Sequence, residues 1–452
     1  MLKAKLTDAR KALFRVVEIF TVKGSYAFTA LGKHFREDYW GRNINREIRH
    51  ELALPEDEAR RKISARLIRH FGPAGTEGLA TACLDDLATL IVAFHRGDWE
   101  RDIETRLLTA TADFTPRQLP DKAWFALTYI ANASGLGHLG YHFRELARRR
   151  ILDLRVSAQS SDAEVLKFFK AAADGGDLDL ARQALSLAQG RSSLAKTARK
   201  MALHLAILAG DRPASVSLYE ADYSGMDRAF ADYVRGKRIA VVGPAPCTED
   251  VAAEIDQFDI VIRPNYRGRD NLPPAAEFGS KTHVSYYSYT NSKQILKSGQ
   301  LDFLFDLDFP VFKSAEDIKK LRKIRPDAKV RHMIKPNNFY LAGKGTMIQN
   351  ILYDLLHFDP QEIKIFHVNF YLSESPYYSS YISPANNVKH VSVLWLDYAN
   401  HDLVTQINLS RILLDHGQIT ADQQATAVMA IDNAAYCQEI QRLYAPTPAG
   451  PA

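Results

Sequence analysis

The chain has 452 residues, of which 46% are hydrophobic and 25% charged. That balance excludes wholesale disorder and fibrous architectures, and the length suffices for two or three domains with cores of their own. The 58 basic residues against 53 acidic ones leave a net charge of only +5, too little to argue for a nucleic-acid partner. Cys83, Cys247 and Cys437 lie far apart with no C-x-x-C pair, so neither a disulfide framework nor a zinc site is indicated.

The opening stretch MLKAKLTDARKALFRVVEIF carries charges throughout and shows no apolar signal segment. Leu2, Leu6, Leu13, Val16 and Val17 fall near one helical face, which suits packing on its own domain or peripheral contact with a membrane surface. No stretch approaches the roughly 18 apolar residues of a membrane span. The expected location is therefore cytoplasmic, with the inner face of the membrane as the alternative the amphipathic helix leaves open.

Residues 1–158 are expected to form an all-helical domain, since RKISARLIRHF, TACLDDLATLIVAFHRG and KAWFALTYIANA place apolar residues at helical spacing. Residues 159–235 look repetitive. Gly176-Asp177 and Gly210-Asp211 lie 34 positions apart, each between two helical segments, the period of tetratricopeptide-like helical hairpins. Such an array either binds a partner or holds another domain in place.

At Gly236 the pattern changes, and 236–443 is expected to be an α/β domain. IAVV and DIVI are continuous apolar strands flanking TEDVAAEIDQF, where Thr248 is the expected helix cap. Strand, turn, helix and strand within about thirty residues make a βαβ unit of a parallel sheet. KTHVSYYSYT, LDFLFDLDF, AKVRHMI and EIKIFHVNFYL read as further strands, TMIQNILYDLLHF as a helix, and HDLVTQINLSRILLDHG as a last long helix ended by Gly417. The Pro/Ala-rich tail, 444–452, is expected to be disordered.

Ligands of open parallel sheets bind at the carboxyl ends of the strands, and four segments are expected there. Gly243-Pro244-Ala245-Pro246 follows the first strand and allows close approach to a phosphate. Arg263-Pro264-Asn265 ends the second, and Asn265 offers both a donor and an acceptor to a ribose or base. Gly343-Lys344-Gly345-Thr346 opens a helix and could cradle an anion, although it is no P-loop. Asn400-His401-Asp402 opens the last long helix and supplies an imidazole for proton transfer near neutral pH. Asp306-Leu307-Asp308 competes as a D-x-D pair able to hold a divalent metal on a nucleotide-sugar pyrophosphate, or it only marks a polar strand face.

In this order, the segments resemble the motifs of the animal-type sialyltransferases, glycosyltransferase family 29, over about 236–420. IAVVGPAPC with IDQFDIVIRPN resembles the large sialylmotif, and Glu277-Phe278-Gly279-Ser280-Lys281-Thr282-His283 resembles its "D-V-G-x-K-T-x-H" continuation. GKGTMIQNILYDLLHFDPQEIKIFHVNFY resembles the small motif and HDLVTQINLSRILLDHGQI the very small one. There are departures. Pro244 stands where the family has Asn, Gly343-Lys344-Gly345 replaces a Ser/Thr-Thr-Gly run, Pro376-Tyr377-Tyr378-Ser379 stands where His-Tyr-Tyr-acid is expected, and Gln406 replaces a Glu.

The resemblance implies a Rossmann-like (GT-A variant) sheet and an inverting transfer from a CMP-activated sialic acid-like or Kdo donor. His401 would be the general base and Asp402 would cap the helix or orient the ring. Lys344, Tyr377 or Tyr378 would stabilise departing CMP in place of the missing third-motif histidine. Gly243, Pro244, Ala245, Asn265, Gly343, Gly345 and Thr346 would hold the nucleotide, with Arg263, Lys281, His283 and Gln406 as further candidates. No metal or other cofactor is implied, because the leaving group carries a single phosphate. The acceptor would be a glycan, a lipid-linked precursor or a protein, chosen by the helical half. A chain beginning near 230 is then expected to bind CMP yet lose transfer. A metal-dependent UDP- or GDP-sugar transferase using Asp306 and Asp308, and a non-catalytic helical-repeat scaffold, are the alternatives.

Overall fold

The computed structural model describes residues 38–73, 78–98, 101–112, 114–336, 339–378, 381 and 391–445. The expected amphipathic helix at the N-terminus and the tail beyond 445 lie outside them. Among the described residues no helix is long and apolar enough to cross a membrane.

The first part is helical: α1 (Asp38–Glu51), α2 (Glu56–Phe71), α3 (Thr81–Arg96), α4 (Arg101–Ala112), α5 (Asp121–Ala133) and α6 (Gly137–Leu152). It continues through α7 (Asp162–Asp174), α8 (Leu178–Gln189), α9 (Ala195–Leu208), α10 (Arg212–Glu220) and α11 (Gly225–Val234). The α7–α8 and α9–α10 turns are built alike. Gly176 and Gly210 take φ of +71° and +72°, and the next residue caps the following helix: Asp177 accepts from the Leu180 N–H and Asp211 from that of Ala214, each at 3.0 Å. The 34-residue spacing is thus one hairpin turn used twice.

Among the described residues seven strands then form one all-parallel sheet in the order β5-β4-β3-β2-β1-β6-β7. They are β1 (Arg238–Val242), β2 (Ile260–Pro264), β3 (Val284–Tyr287), β4 (Phe309–Phe312), β5 (Arg331–His332), β6 (Glu362–Phe366) and β7 (Thr420–Ala421). The central strands are buried along nearly their whole length, as expected of a sheet covered on both faces. Between them run α12 (Ala252–Ile255), α13 (Ala275–Phe278), α14 (Tyr289–Ser298) and α15 (Ala315–Ile324), then α16 (Met347–Leu355), α17 (Val391–Asn400) and α18 (Leu403–Asp415). Finally come α19 (Gln423–Met429) and α20 (Asn433–Leu443), the latter packed back onto α6. Tyr287 and Phe312 join the apolar cluster under α14 and α15, whereas the Tyr286 hydroxyl, one residue earlier and so on the opposite face, donates to Asp354 of α16 at 2.7 Å.

Two sequence expectations change. The helix after β1 is a single turn that begins at Ala252, with Val251 at its N-cap position and no side-chain cap, so Thr248 does not cap it. LDFLFDLDF is not one strand. Its first part is a 3₁₀ turn, Asp302–Asp306, and only Phe309–Phe312 pairs with β3. Leu304 and Leu307 instead turn into the α14–α15 cluster, so the alternation reflects two successive ways of burying the same apolar side chains.

Candidate functional site

Strand order reverses between β1 and β6, and connections on the two sides of that point diverge to leave a crevice beyond the carboxyl ends. Gly243 sits in it. Its N–H donates to the Phe366 carbonyl at 2.7 Å, and a Cβ there would collide with the His367 carbonyl oxygen. Only glycine lets the two chains diverge so closely. Beside it a shallow cleft, open to solvent, is lined by Gly243, Pro244, Arg263, Asn265, Arg267, Tyr378 and Tyr381.

Asn265 adopts φ +58°, a left-handed conformation that asparagine tolerates better than most residues. Its backbone N–H donates to Tyr286 at 2.9 Å and its Nδ2 to the Tyr381 hydroxyl at 2.9 Å. The Tyr378 N–H donates to the Pro244 carbonyl at 2.9 Å, and its ring packs against Phe278 at 4.9 Å. Burial pushes the Tyr378 hydroxyl well above its ordinary range, so it serves as a hydrogen-bond donor rather than an anion. Tyr377 lies against Tyr381 at 5.0 Å but does not line the cleft.

The other residues of the large-motif resemblance are scaffolding. Arg263 is buried, and its guanidinium donates to the carbonyls of Lys281 and Gly279 at 3.1 and 3.2 Å. Burial pulls it down to about 10. Lys281 donates to the Asp256 carbonyl, while His283 Nδ1 accepts from the Val261 N–H at 2.9 Å. Ala245 is buried and donates to the His367 carbonyl at 3.1 Å. Lys281, His283 and Ala245 fix the loop beneath the cleft rather than line it, while Arg263 lines it with its guanidinium spent on backbone carbonyls.

The small and very small motifs meet. The Lys344 N–H donates to the Asn400 carbonyl, and His401 Nδ1 donates to the Lys344 carbonyl, both at 3.0 Å. A carbonyl only accepts, so this bond fixes the proton on Nδ1 and leaves Nε2 with its lone pair when the ring is neutral. Gln406 ties the two segments: its Nε2 donates to the His401 carbonyl at 2.8 Å and its Oε1 accepts from the Thr346 N–H at 3.1 Å. Gly343, at φ +64°, presses against Asp402, and a Cβ would lie 2.5 Å from the Asp402 nitrogen. Thr346 occupies the N-cap position of α16, but its hydroxyl bonds to the Gln349 side chain instead of capping a backbone N–H.

Asp402 does not hold the imidazole. It caps α18 by accepting from the Thr405 N–H at 3.2 Å, and its buried carboxylate takes Arg144 Nε and Nη2, both at 3.0 Å. The same guanidinium donates to Asp174 at 2.6 Å. Arg144 belongs to α6 and Asp174 to α7, so the helical half holds the start of the helix that follows His401. Gly176 and Gly210, the two repeated turns, also rest on α18 and the residue after it, against Ile412 and His416. Truncation near 230 would therefore remove the counter-charge of Asp402 as well as any acceptor surface.

Sequence reasoning missed four cationic or phenolic groups at this rim: Arg267, Tyr381, Lys313 and Lys335. Arg267 lines the cleft and donates to Asn291 Oδ1 at 2.6 Å, yet its buried Nε has no partner among the described residues. Lys313, directly after β4, is only 9% exposed, and a lysine closing an apolar strand was the available signal. The D-x-D pair faces the other way. Asp306 and Asp308 precede β4 at the amino ends of the strands, and Asp308 accepts from the Tyr233 hydroxyl at 2.6 Å. No group of three or more His, Cys, Asp or Glu suited to a metal occurs among the described residues.

A scan against models of known protein families finds no match, and no curated protein matches the chain. The resemblance therefore rests on the identity, order and spacing of the motif residues.

Proposed function

We propose that the chain is an inverting glycosyltransferase that moves a sialic acid-like or Kdo sugar from a CMP-activated donor to a glycan, lipid-linked or protein acceptor. The observation that carries this reading is the cleft at the strand-order reversal. The Gly243 turn, the Asn265 amide and the incompletely satisfied Arg267 guanidinium gather there, the groups that a nucleoside monophosphate asks for. In this reading the sheet is a GT-A variant and the enzyme acts in the cytoplasm, in contact with the inner membrane face when the acceptor is lipid-linked.

His401 Nε2 takes the proton of the acceptor hydroxyl as its oxygen attacks the anomeric carbon. The bond from that carbon to the phosphate oxygen breaks on the opposite face, and configuration inverts. CMP departs with the bonding pair, its added charge met by Arg267 and Lys344, with Tyr378 donating a hydrogen bond. No cofactor enters this scheme, since one phosphate needs no metal to hold a pyrophosphate. The position of Asp306 and Asp308 before the amino end of β4, opposite the carboxyl-end cleft, supports this scheme over a metal-dependent UDP- or GDP-sugar reaction there.

The test is direct. CMP should raise the melting temperature of the full chain while UMP and GMP do not. His401→Ala should keep the CMP response and lose about 10²–10⁴-fold in sugar transfer. Equal responses to all three nucleotides would sink the donor assignment. Undiminished transfer by His401→Ala would sink the assigned base, and absence of transfer in both proteins would favour the scaffold reading.

A further inference from the structure

Next to the nucleotide cleft, the rim carries a second cationic site. Lys313 directly follows β4 and Lys335 comes three residues past His332 of β5, and the charge of Lys344 in the Gly343 turn also acts on Lys313. Lys335 Nζ donates to the Lys313 carbonyl at 3.0 Å and the Tyr289 hydroxyl at 3.2 Å, and it lies over the Tyr289 ring at 5.1 Å. Lys313 is 9% exposed. Among the described residues neither Lys313 nor Lys335 has a carboxylate within ion-pair distance, and the charges that act on Lys313 are those of Lys335 and Lys344. Burial, with these two neighbours, pulls the Lys313 ammonium down to about 7.

A buried lysine whose only charged neighbours are lysines costs the fold stability. Two other buried cations among the described residues are paired with carboxylates, Arg144 with Asp174 and Asp402 and Arg331 with Asp354, and buried Arg263 is spent on backbone carbonyls. Among the described residues the Lys313 ammonium has neither kind of partner, and it sits at the carboxyl ends of the strands. We infer that Lys313, Lys335 and Lys344 form an anion subsite for a compact oxyanion, a carboxylate or a phosphate, carried by the part of the substrate that lies outside the nucleotide cleft. The register sets its distance. Asn265 donates to Tyr286, and Lys313 donates to Tyr287 at 3.2 Å, so both leave the sheet at nearly one level, two strands apart. Two strand spacings are about 10 Å, the reach from a nucleotide to a group on the transferred sugar or the acceptor.

The inference concerns the same rim as the proposed transfer reaction and deepens that reading, but its test needs neither CMP nor turnover. The full chain is titrated with inorganic phosphate, with free N-acetylneuraminate as a sugar carboxylate, and with N-acetylmannosamine as an uncharged control, following the melting temperature. The phosphate or the carboxylate should raise it and the control should not. Lys313→Met and Lys335→Gln should each weaken that response about tenfold, while leaving the CMP response of the cleft intact. A response to phosphate alone assigns the subsite to a phosphorylated substrate, and a response to the sugar acid alone assigns it to an acidic sugar. Equal anion responses in wild type and both variants, or no anion response in wild type, would overturn the subsite. Loss of the CMP response in wild type with the anion response preserved would overturn the donor assignment only.

Discussion

Two buried ion networks join the helical half to the sheet half, and they differ in what they support. Arg331 of β5 donates to Asp354 of α16 at 2.9 Å and to Asp227 of α11 at 2.7 Å, with Tyr286 completing the carboxylate. Everything in that network lies beneath the sheet edge. Arg144 of α6 instead spans Asp174 and Asp402, and the Asp402 end is the residue after His401. The chemistry of the two is nearly the same, but one lies against the candidate imidazole and the other does not. Buried ion pairs do little for net stability against apolar replacements, but removing one partner leaves a charge stranded. The comparison suggests that the Arg144 network is kept for position.

Asp354→Ala should have the largest effect, because it leaves the buried Arg331 guanidinium with Asp227 alone and removes the acceptors of the Tyr286 hydroxyl and the Ile334 N–H together. Urea unfolding should show a loss of about 3–5 kcal/mol. The CMP response of the remaining folded protein should be unchanged. Arg144→Met leaves Asp174 and Asp402 facing each other without a cation. A loss of about 2–4 kcal/mol is expected, accompanied by a fall in transfer per folded molecule that Asp354→Ala does not show. Equal specific activities in the two variants would remove the distinction between the networks.

The sheet was legible because buried parallel strands are short unbroken apolar runs, and IAVV, DIVI and EIKIF have no other use. The 34-residue spacing was legible because each hairpin repeats one glycine and one capping aspartate at fixed offsets. LDFLFDLDF misled because its apparent alternation hides a 3₁₀ turn, in which burial recurs every third residue at Leu301, Leu304 and Leu307 before the strand begins. The meeting of Gly343-Lys344 with His401 could be expected from motif order. The partners of Arg144 and Arg267 could not, since a lone cation in a helix or a turn carries no mark of what it will face. Asp402 could be read as a cap, but its partner 258 positions away is a property of the folded chain.

Gly343→Ala tests the junction from the other side. Alanine at φ +64° costs about 1–2 kcal/mol, and the new methyl would push the Asp402 backbone away. Differential scanning calorimetry should register a modest loss of stability. The Lys344–His401 bond should loosen, so transfer should fall by more than the stability loss explains. Gly417→Ala, also at positive φ but with open space around it, should match the stability loss and leave transfer alone.

The smallest effect is a slope, and it separates the lysine rim from both ion networks. Lys313 holds its proton with a folded value of about 7 against about 10.4 in the unfolded chain. Between those values the unfolded state binds more protons, so stability should rise with pH from about 7 to 10, and below 7 the full cost of the buried charge should be present. Lys335, lowered by its own burial, and His332, likewise lowered by burial, face the same space and titrate in both proteins. Lys313→Met should therefore be more stable than wild type, by the largest margin near pH 6, with the margin shrinking as the pH rises. Saturating oxyanion should reverse that order below pH 7, because the bound negative charge would give the Lys313 ammonium the partner that the fold withholds. A margin independent of pH would mean that Lys313 binds its proton equally well in the folded and the unfolded chain, so that burial imposes no cost on its charge.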